Sequence, residues 1–223
     1  MSFHRIRKAL RKKLGDSRGF SFTELLATLL IVAMAAEAVG MGIQAAIRQY
    51  NKSMTLSEAK ILASTLTSVI QSELGSTGTA RLSDDPVEVD GKTVWKLAEF
   101  FSHGYANEQE GTYFTAVTVN SEGMRPATDG DGDGYGEILL GKIRGDDTVV
   151  GNLLVSSSTY SRYKLKAKVD VTCDVDDNDD PQEITAFHVS LVVHSSLGGE
   201  TVRTAFDVLP LNPVMVEKGD EES

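Results

Sequence analysis

A single cysteine, Cys173, stands among 223 residues, which excludes an internal disulfide framework and any zinc site built on several thiolates. Catalytic signatures are missing too: the chain has no G-x-S-x-G, no H-E-x-x-H and no phosphate-binding glycine loop. Histidine is scarce, and His103, His188 and His194 lie far apart in the sequence. His188 and His194, six residues apart, share one face if a regular strand holds both. No enzyme is expected. Positive charge is depleted from most of the chain: residues 1–19 hold seven of the 22 Lys and Arg against one acid, Asp16, leaving 15 basic and 31 acidic residues for the rest, a net −16. An acidic body excludes nucleic acid as its partner, because phosphate affinity comes mainly from Lys and Arg. The basic head suits anionic lipid. No internal repeat is found.

What is present divides into five segments. Residues 1–19 are a basic leader. Residues 20–46 are apolar apart from small polar residues and two carboxylates, Glu24 and Glu37, and about 20 such residues cross a bilayer. Residues 47–75 continue as an amphipathic helix, in a pattern that begins at Ile43 and runs through Ile47, Tyr50, Met54, Leu62, Leu66, Val69 or Ile70, and Leu74 at steps mostly of three or four. Leu74-Gly75-Ser76-Thr77-Gly78 predicts a stop at a left-handed glycine cap. The capping-box pattern from Thr55 to Glu58 allows a break and restart near residues 51–55. Gly40 and Gly42 mark a point of local melting, since glycine costs roughly 1 kcal/mol relative to alanine inside a helix. Residues 79–214 read as a β-rich globular domain and 215–223 as a disordered acidic tail.

Within the β-rich segment, residues 87–95 form a hairpin around the Asp90-Gly91 turn. Further strands are expected at 112–119, 137–143, 148–156, 162–175, 183–194 and 200–209. The segments 162–175 and 183–194 alternate apolar and polar residues on either side of an acidic loop, and pair antiparallel. Cys173 has alternating apolar neighbours and is expected to be buried or half-buried. Trp95, Phe100 and Phe101 are expected in the core.

The sharpest motif in the body runs from Thr128 to Glu137. Asp129, Asp131 and Asp133 occupy positions 1, 3 and 5 of a calcium-type loop, Gly134 permits the turn at position 6, and Glu137 stands at position 9. Position 12 is Leu140, where a bidentate Glu is required, so a complete EF-hand loop is not formed. Two readings stay open: a Ca2+ loop between strands, or a solvated Gly/Asp turn. The run Asp174 to Asp180 admits a second cation-gathering loop, but like charges in a block normally stay hydrated and it reads first as a solvated hairpin tip.

Residues 1–46 admit a secretory signal with an apolar core from Leu25 to Ala36, cleaved after Ala35 or Ala38, or an uncleaved signal anchor. Neither explains Glu24. An ionised carboxylate in a low-dielectric setting needs a partner or a proton. Ser21-Phe22-Thr23-Glu24 also reads as a capping box, worth about 1 kcal/mol.

The run Gly19-Phe20-Ser21-Phe22-Thr23-Glu24-Leu25, behind a basic leader and ahead of a long apolar helix, resembles the N-terminal motif of type IV prepilins and pseudopilins. In that family cleavage follows the Gly, the new first residue is usually Phe, and Glu stands fifth, as Glu24 does counting from Phe20. Thr23 replaces the usual aliphatic residue. The resemblance implies an α+β, type IV pilin-like fold, with a long N-terminal helix packed on an antiparallel β-sheet domain. It implies that a prepilin peptidase cuts after Gly19 and methylates Phe20, and that Glu24 pairs with the new amine during assembly. It implies other subunits, an assembly platform and membrane lipid as partners. The basic N-terminus would be cytoplasmic and the body outside, before incorporation into an extracellular or periplasmic filament. No cofactor is required, Ca2+ in the Asp129–Glu137 loop aside. The motif does not separate major pilin, minor pilin and pseudopilin. The alternative is a secreted or signal-anchored β-domain acting as a calcium-dependent binding module or enzyme.

Overall fold

The computed structural model describes residues 21–84, 86–89, 91–102, 111–120, 123–127, 134–143, 149–176, 181–195 and 201–217. The expected processing residues Gly19 and Phe20, the loop carboxylates Asp129, Asp131 and Asp133, His103, Asp177 to Asp180 and the end of the tail lie outside these residues. The chain is α+β and divides into two units, residues 1–51 and 52–223. The division falls within one helix, α1 (Phe22–Gly75, 54 residues).

In the first unit α1 is apolar around its whole circumference. Leu29, Leu30, Ile31 and Val32 are consecutive, point in four directions about 100° apart, and are 62–67% exposed. The helix runs without interruption through Gly40, Gly42 and residues 51–55. The expected melting and restart points therefore do not break it. Nothing lies within 4 Å of a Cβ added at either glycine.

In the second unit the helix becomes one-sided. Thr55, Ala59, Leu62, Ala63, Leu66, Ile70 and Leu74 are buried along one stripe, while Ser57, Lys60 and Ser68 face outward. Ile70, and not Val69, is the fully buried member of that pair. The stop differs from the one expected. Gly75 and Gly78 are not left-handed. Instead the hydroxyls of Ser76 and Thr77 donate to the Glu73 carbonyl at 3.1 and 3.0 Å, and the Leu211 N–H donates to the Gly75 carbonyl at 3.0 Å. Side-chain and tertiary donors thus satisfy the carbonyls a helix end leaves open.

The helix stripe joins a core that includes Phe100, Ile138, Tyr160, Cys173, Phe187, Leu191 and Val214. Among the described residues the strands are β1 (Thr77–Leu82), β2 (Val87–Val89), β3 (Lys92–Ser102), β4 (Tyr113–Asn120), β5 (Gly123–Pro126), β6 (Glu137–Ile143), β7 (Val149–Leu153), β8 (Leu165–Val175), β9 (Glu183–Ser195), β10 (Thr201–Val208) and β11 (Val214–Val216). A short helix, α2 (Ser157–Arg162), precedes β8. The larger sheet runs β1-β11-β9-β8-β3-β2, with β10 also on β9 and β1 also on β3. It was expected to be antiparallel throughout. It is mixed, because β11 pairs parallel with β1. The smaller sheet, β5-β4-β6-β7, is antiparallel.

The hairpin β8–β9 is in register from Leu165↔Ser195 to Cys173↔Phe187. Leu165, Ala167 and Cys173 face Ser195, Val193 and Phe187 on the buried side, as the alternation requires. Asp176 Oδ1 accepts the Gln182 and Glu183 N–H groups at 3.0 and 2.9 Å and closes the connection. Cys173 is fully buried as expected, and Phe100 is in the core. Trp95 and Phe101 are half-buried, with the Arg81 guanidinium 5.5 Å from the Phe101 ring.

Leu66 is 0% exposed at the centre of the helix stripe. Leu66→Ala is expected to destabilise the second unit by about 2–5 kcal/mol through lost burial and a residual cavity, measured by thermal unfolding of the full chain in detergent. A change as small as that of an exposed helix position such as Ser68→Ala would contradict the packing described.

Candidate functional site

α1 begins at Phe22, and the N–H groups of Glu24 and Leu25 donate to the Ser21 carbonyl at 2.9 and 3.1 Å. The Ser21 hydroxyl is 2.7 Å from the Thr23 hydroxyl, so it does not serve as the side-chain half of the expected capping box. Glu24 sits in the first turn, exposed. Among the described residues its carboxylate has no hydrogen-bond or ion-pair partner. The positive end of the helix dipole favours a carboxylate here, by about 0.3–1 kcal/mol at an exposed site. Around it Phe22 is 76% exposed, and Leu25 and Leu26 about half exposed. A helix apolar on all sides is stable when something apolar surrounds it. α1 is long and apolar enough to cross a membrane.

Of the proposed calcium ligands only Glu137 is among the described residues. It opens β6, opposite Val117. Its Oε1 accepts a hydrogen bond from the Ser157 hydroxyl at 2.8 Å, while Oε2 is buried without a hydrogen-bond partner. Desolvation raises its pKa, against the lowering effect of Ser157. Close by, the Tyr160 hydroxyl accepts the Ile138 N–H at 3.1 Å and is pushed up to about 12, first by burial. Glu137 thereby ties β6 to the start of α2. Among the described residues no group of three His, Cys, Asp or Glu side chains is gathered for a metal.

The outer face of β8–β9–β10 carries a charge cluster that the sequence did not reveal. His188 on β9 lies opposite Thr172 on β8 and Asp207 on β10. Its Nδ1 is 2.7 Å from Asp207 Oδ1 and its Nε2 is 3.0 Å from Asp174 Oδ2. The two carboxylates approach opposite nitrogens, so they cannot share one metal ion with this ring. They suit an imidazolium donating from both sides. The pKa of His188 is raised, chiefly by the hydrogen bond to Asp207, with burial opposing and Asp174 reinforcing it. The cluster lines a groove of about 760 Å³ between the β2–β3 hairpin and this face, which also holds Lys92, Lys96 and Asp170. His194 lies on the same face of β9, as its six-residue spacing implied.

The sign of the resulting pH dependence follows from the raised pKa. The folded state holds the His188 proton more tightly than the unfolded chain, so the stabilisation is full below the ordinary value of about 6.5 and is lost as pH rises through the folded pKa. Wild type is expected to exceed His188→Ala in thermal stability most between about pH 5 and 6.5, with the gap narrowing at higher pH. A gap independent of pH, measured by parallel melts, would remove the charged bridge from the account.

Cys173, on the inner face beside Asp174, is buried and its thiol pKa is pushed upward by desolvation and then by Asp174. It is held as a neutral thiol. Comparison with family models, with curated proteins and with solved structures gives no match.

Proposed function

We propose that this chain is a structural subunit, a pilin or pseudopilin, of a type IV pilus or a related secretion or DNA-uptake filament. The observation that carries the proposal is the helix from Phe22 to Tyr50. Its large apolar side chains are exposed on every side, and the Gly19-Phe20 junction and Glu24 stand at its start. Such a surface needs lipid before assembly and neighbouring subunits after it. Exchanging one for the other exposes little apolar area to water.

In this reading a prepilin peptidase cuts after Gly19 and methylates the Phe20 amine. The subunit waits as a single-pass membrane protein, basic leader on the cytoplasmic side and β-domain outside. An assembly platform then moves it into the filament. Cleavage creates the cation that the Glu24 carboxylate lacks among the described residues. The β-domain has a structural and surface role without catalysis. The loop from Asp129 to Glu137 is retained as a Ca2+ candidate on its sequence pattern.

Fractionation of cells that carry the assembly machinery tests this. The chain should sediment with sheared surface or periplasmic filaments, and should stay in the membrane when the assembly ATPase is inactivated. A soluble, secreted β-domain in both strains would favour the signal-sequence alternative.

A further inference from the structure

We propose that, given the pilin reading on which this rests, Glu37 of one copy pairs with Arg48 of a second copy that lies parallel to it and is displaced along the helix axis by about 16 Å. The ion pair sets the stagger of those two subunits.

Between Phe20 and Asn51 the chain carries two carboxylates, Glu24 and Glu37, and one basic side chain, Arg48. Cleavage after Gly19 adds a second cation, the Phe20 amine. That amine serves Glu24, which leaves Glu37 and Arg48 as the remaining complementary charges of this apolar segment. Neither is neutralised within its own chain. Both are exposed, and no hydrogen bond or ion pair reaches the Glu37 carboxylate among the described residues. Arg48 donates through Nε to the Gln44 carbonyl of the preceding turn at 3.4 Å, which leaves the charge of its guanidinium unmatched. Lys52, the next cation along the helix, is already engaged. Once apolar helices bundle around it, a lone carboxylate is costly, and a guanidinium is the cation that gives up water most readily.

The spacing of the two charges selects a neighbour. α1 is continuous from Glu37 to Arg48, and this span makes three turns plus about 20°. Both side chains therefore leave the helix on one side, with Met41 and Gln44 between them at steps of four, three and four. The same span separates them by about 16 Å along the axis, far beyond the roughly 4 Å of an ion pair. Pairing within one chain is excluded. With every helix running the same way through one membrane, a copy that has moved outward brings its Glu37 level with Arg48 of the copy behind it. The contact is heterologous and stays open, so it propagates along a filament. Glu24 and Phe20 are only four residues apart, so their pairing needs a smaller displacement and joins a different pair of neighbours.

Charge reversal of the full-length chain, in cells that carry the assembly machinery, tests this. The readout is the ratio of chain in sheared filaments to processed chain in the membrane, so that a variant that fails to insert or to be cut is scored apart from one that fails to assemble. Glu37→Arg and Arg48→Glu should each lower the ratio by roughly tenfold or more, since like charges then meet at the contact. Combining the two reversals in one chain should recover most of it. Co-expressing the two single variants should do so as well, because copies that alternate along the filament again place opposite charges at every contact. The uncharged pair Glu37→Gln with Arg48→Gln, which brings no new charge into the membrane, should assemble better than Arg48→Gln alone, which leaves Glu37 unmatched. Single reversals that assemble normally, a double reversal as defective as the singles, singles that do not rescue each other, or an uncharged pair no better than Arg48→Gln would each overturn the proposal while wild-type filaments keep the pilin reading standing. A wild-type chain that forms no filaments would remove both.

Discussion

Glu24→Ala is expected to leave the chain processed and membrane-bound but absent from filaments. The carboxylate sits in the first turn of α1, exposed in the single chain. Within a bundle of apolar helices it would lie in a low-dielectric setting, where only a nearby cation makes its charge tolerable. The reading supplies that cation as the Phe20 amine of a neighbouring subunit. Removing one partner of such a buried pair costs about 3–5 kcal/mol, or more than 100-fold in an equilibrium constant. The rival explanation, that Glu24 only caps the helix, is worth about 1 kcal/mol and would leave assembly nearly intact. The Ser21 hydroxyl is engaged with Thr23, which already weakens it. Immunoblotting of sheared filaments against membranes separates the two: loss beyond tenfold supports pairing, and near-normal incorporation supports the cap.

Gly136→Ala should be among the most damaging single methyls in the β-domain. Gly136 precedes β6, exchanges backbone hydrogen bonds of 2.9 and 2.6 Å with Ala167 on β8, and so joins the two sheets. A Cβ at this position would run into the backbone carbonyl, amide nitrogen and carbonyl carbon of Val117. Those atoms belong to β4 and cannot rotate aside as a side chain could. The cost should therefore reach or exceed the upper end of ordinary overpacking, about 3 kcal/mol, or roughly 6–12 °C in melting temperature. Gly40→Ala is the contrast. Nothing lies within 4 Å of the added methyl, and the helix should gain up to about 1 kcal/mol. Melts of the two variants beside wild type check both signs. A neutral Gly136→Ala would mean that the sheets are joined differently.

Where the chain's own periodicity sets the structure, the sequence was legible. The spacing of Leu62, Leu66, Val69 or Ile70, and Leu74 predicted the buried part of the helix stripe, although Ile43, Ile47, Tyr50 and Met54, read on the same side, are exposed, and alternation predicted β8, β9 and their pairing. The bounds of β6, residues 137–143, were also read correctly. Short elements stabilised by distant partners were not legible. β11 is three residues long and is defined by its pairing with β1 and β9. α2 is anchored by the buried Tyr160 and the Glu137–Ser157 bond, neither of which a propensity argument can supply. The helix stop misled because glycine offered a local cap, while the actual donors include Leu211, far along the chain.

The candidate site shows the same division. Glu24 was visible because its offset from Gly19 is fixed along the chain. The Asp174–His188–Asp207 bridge was invisible because it depends on the register of three strands. Only after β8 is aligned with β9 and β9 with β10 do those side chains meet. The alternation in "DVTCDV", "FHVS" and "AFDV" does not say which residues stand opposite one another.

The central claim concerns the first residues of the mature chain, and mass spectrometry of the N-terminal peptide from native membranes addresses it directly. The account predicts a chain that starts at Phe20 with a methylated amine. A start at Ala36 or Val39, or an intact leader, would contradict it.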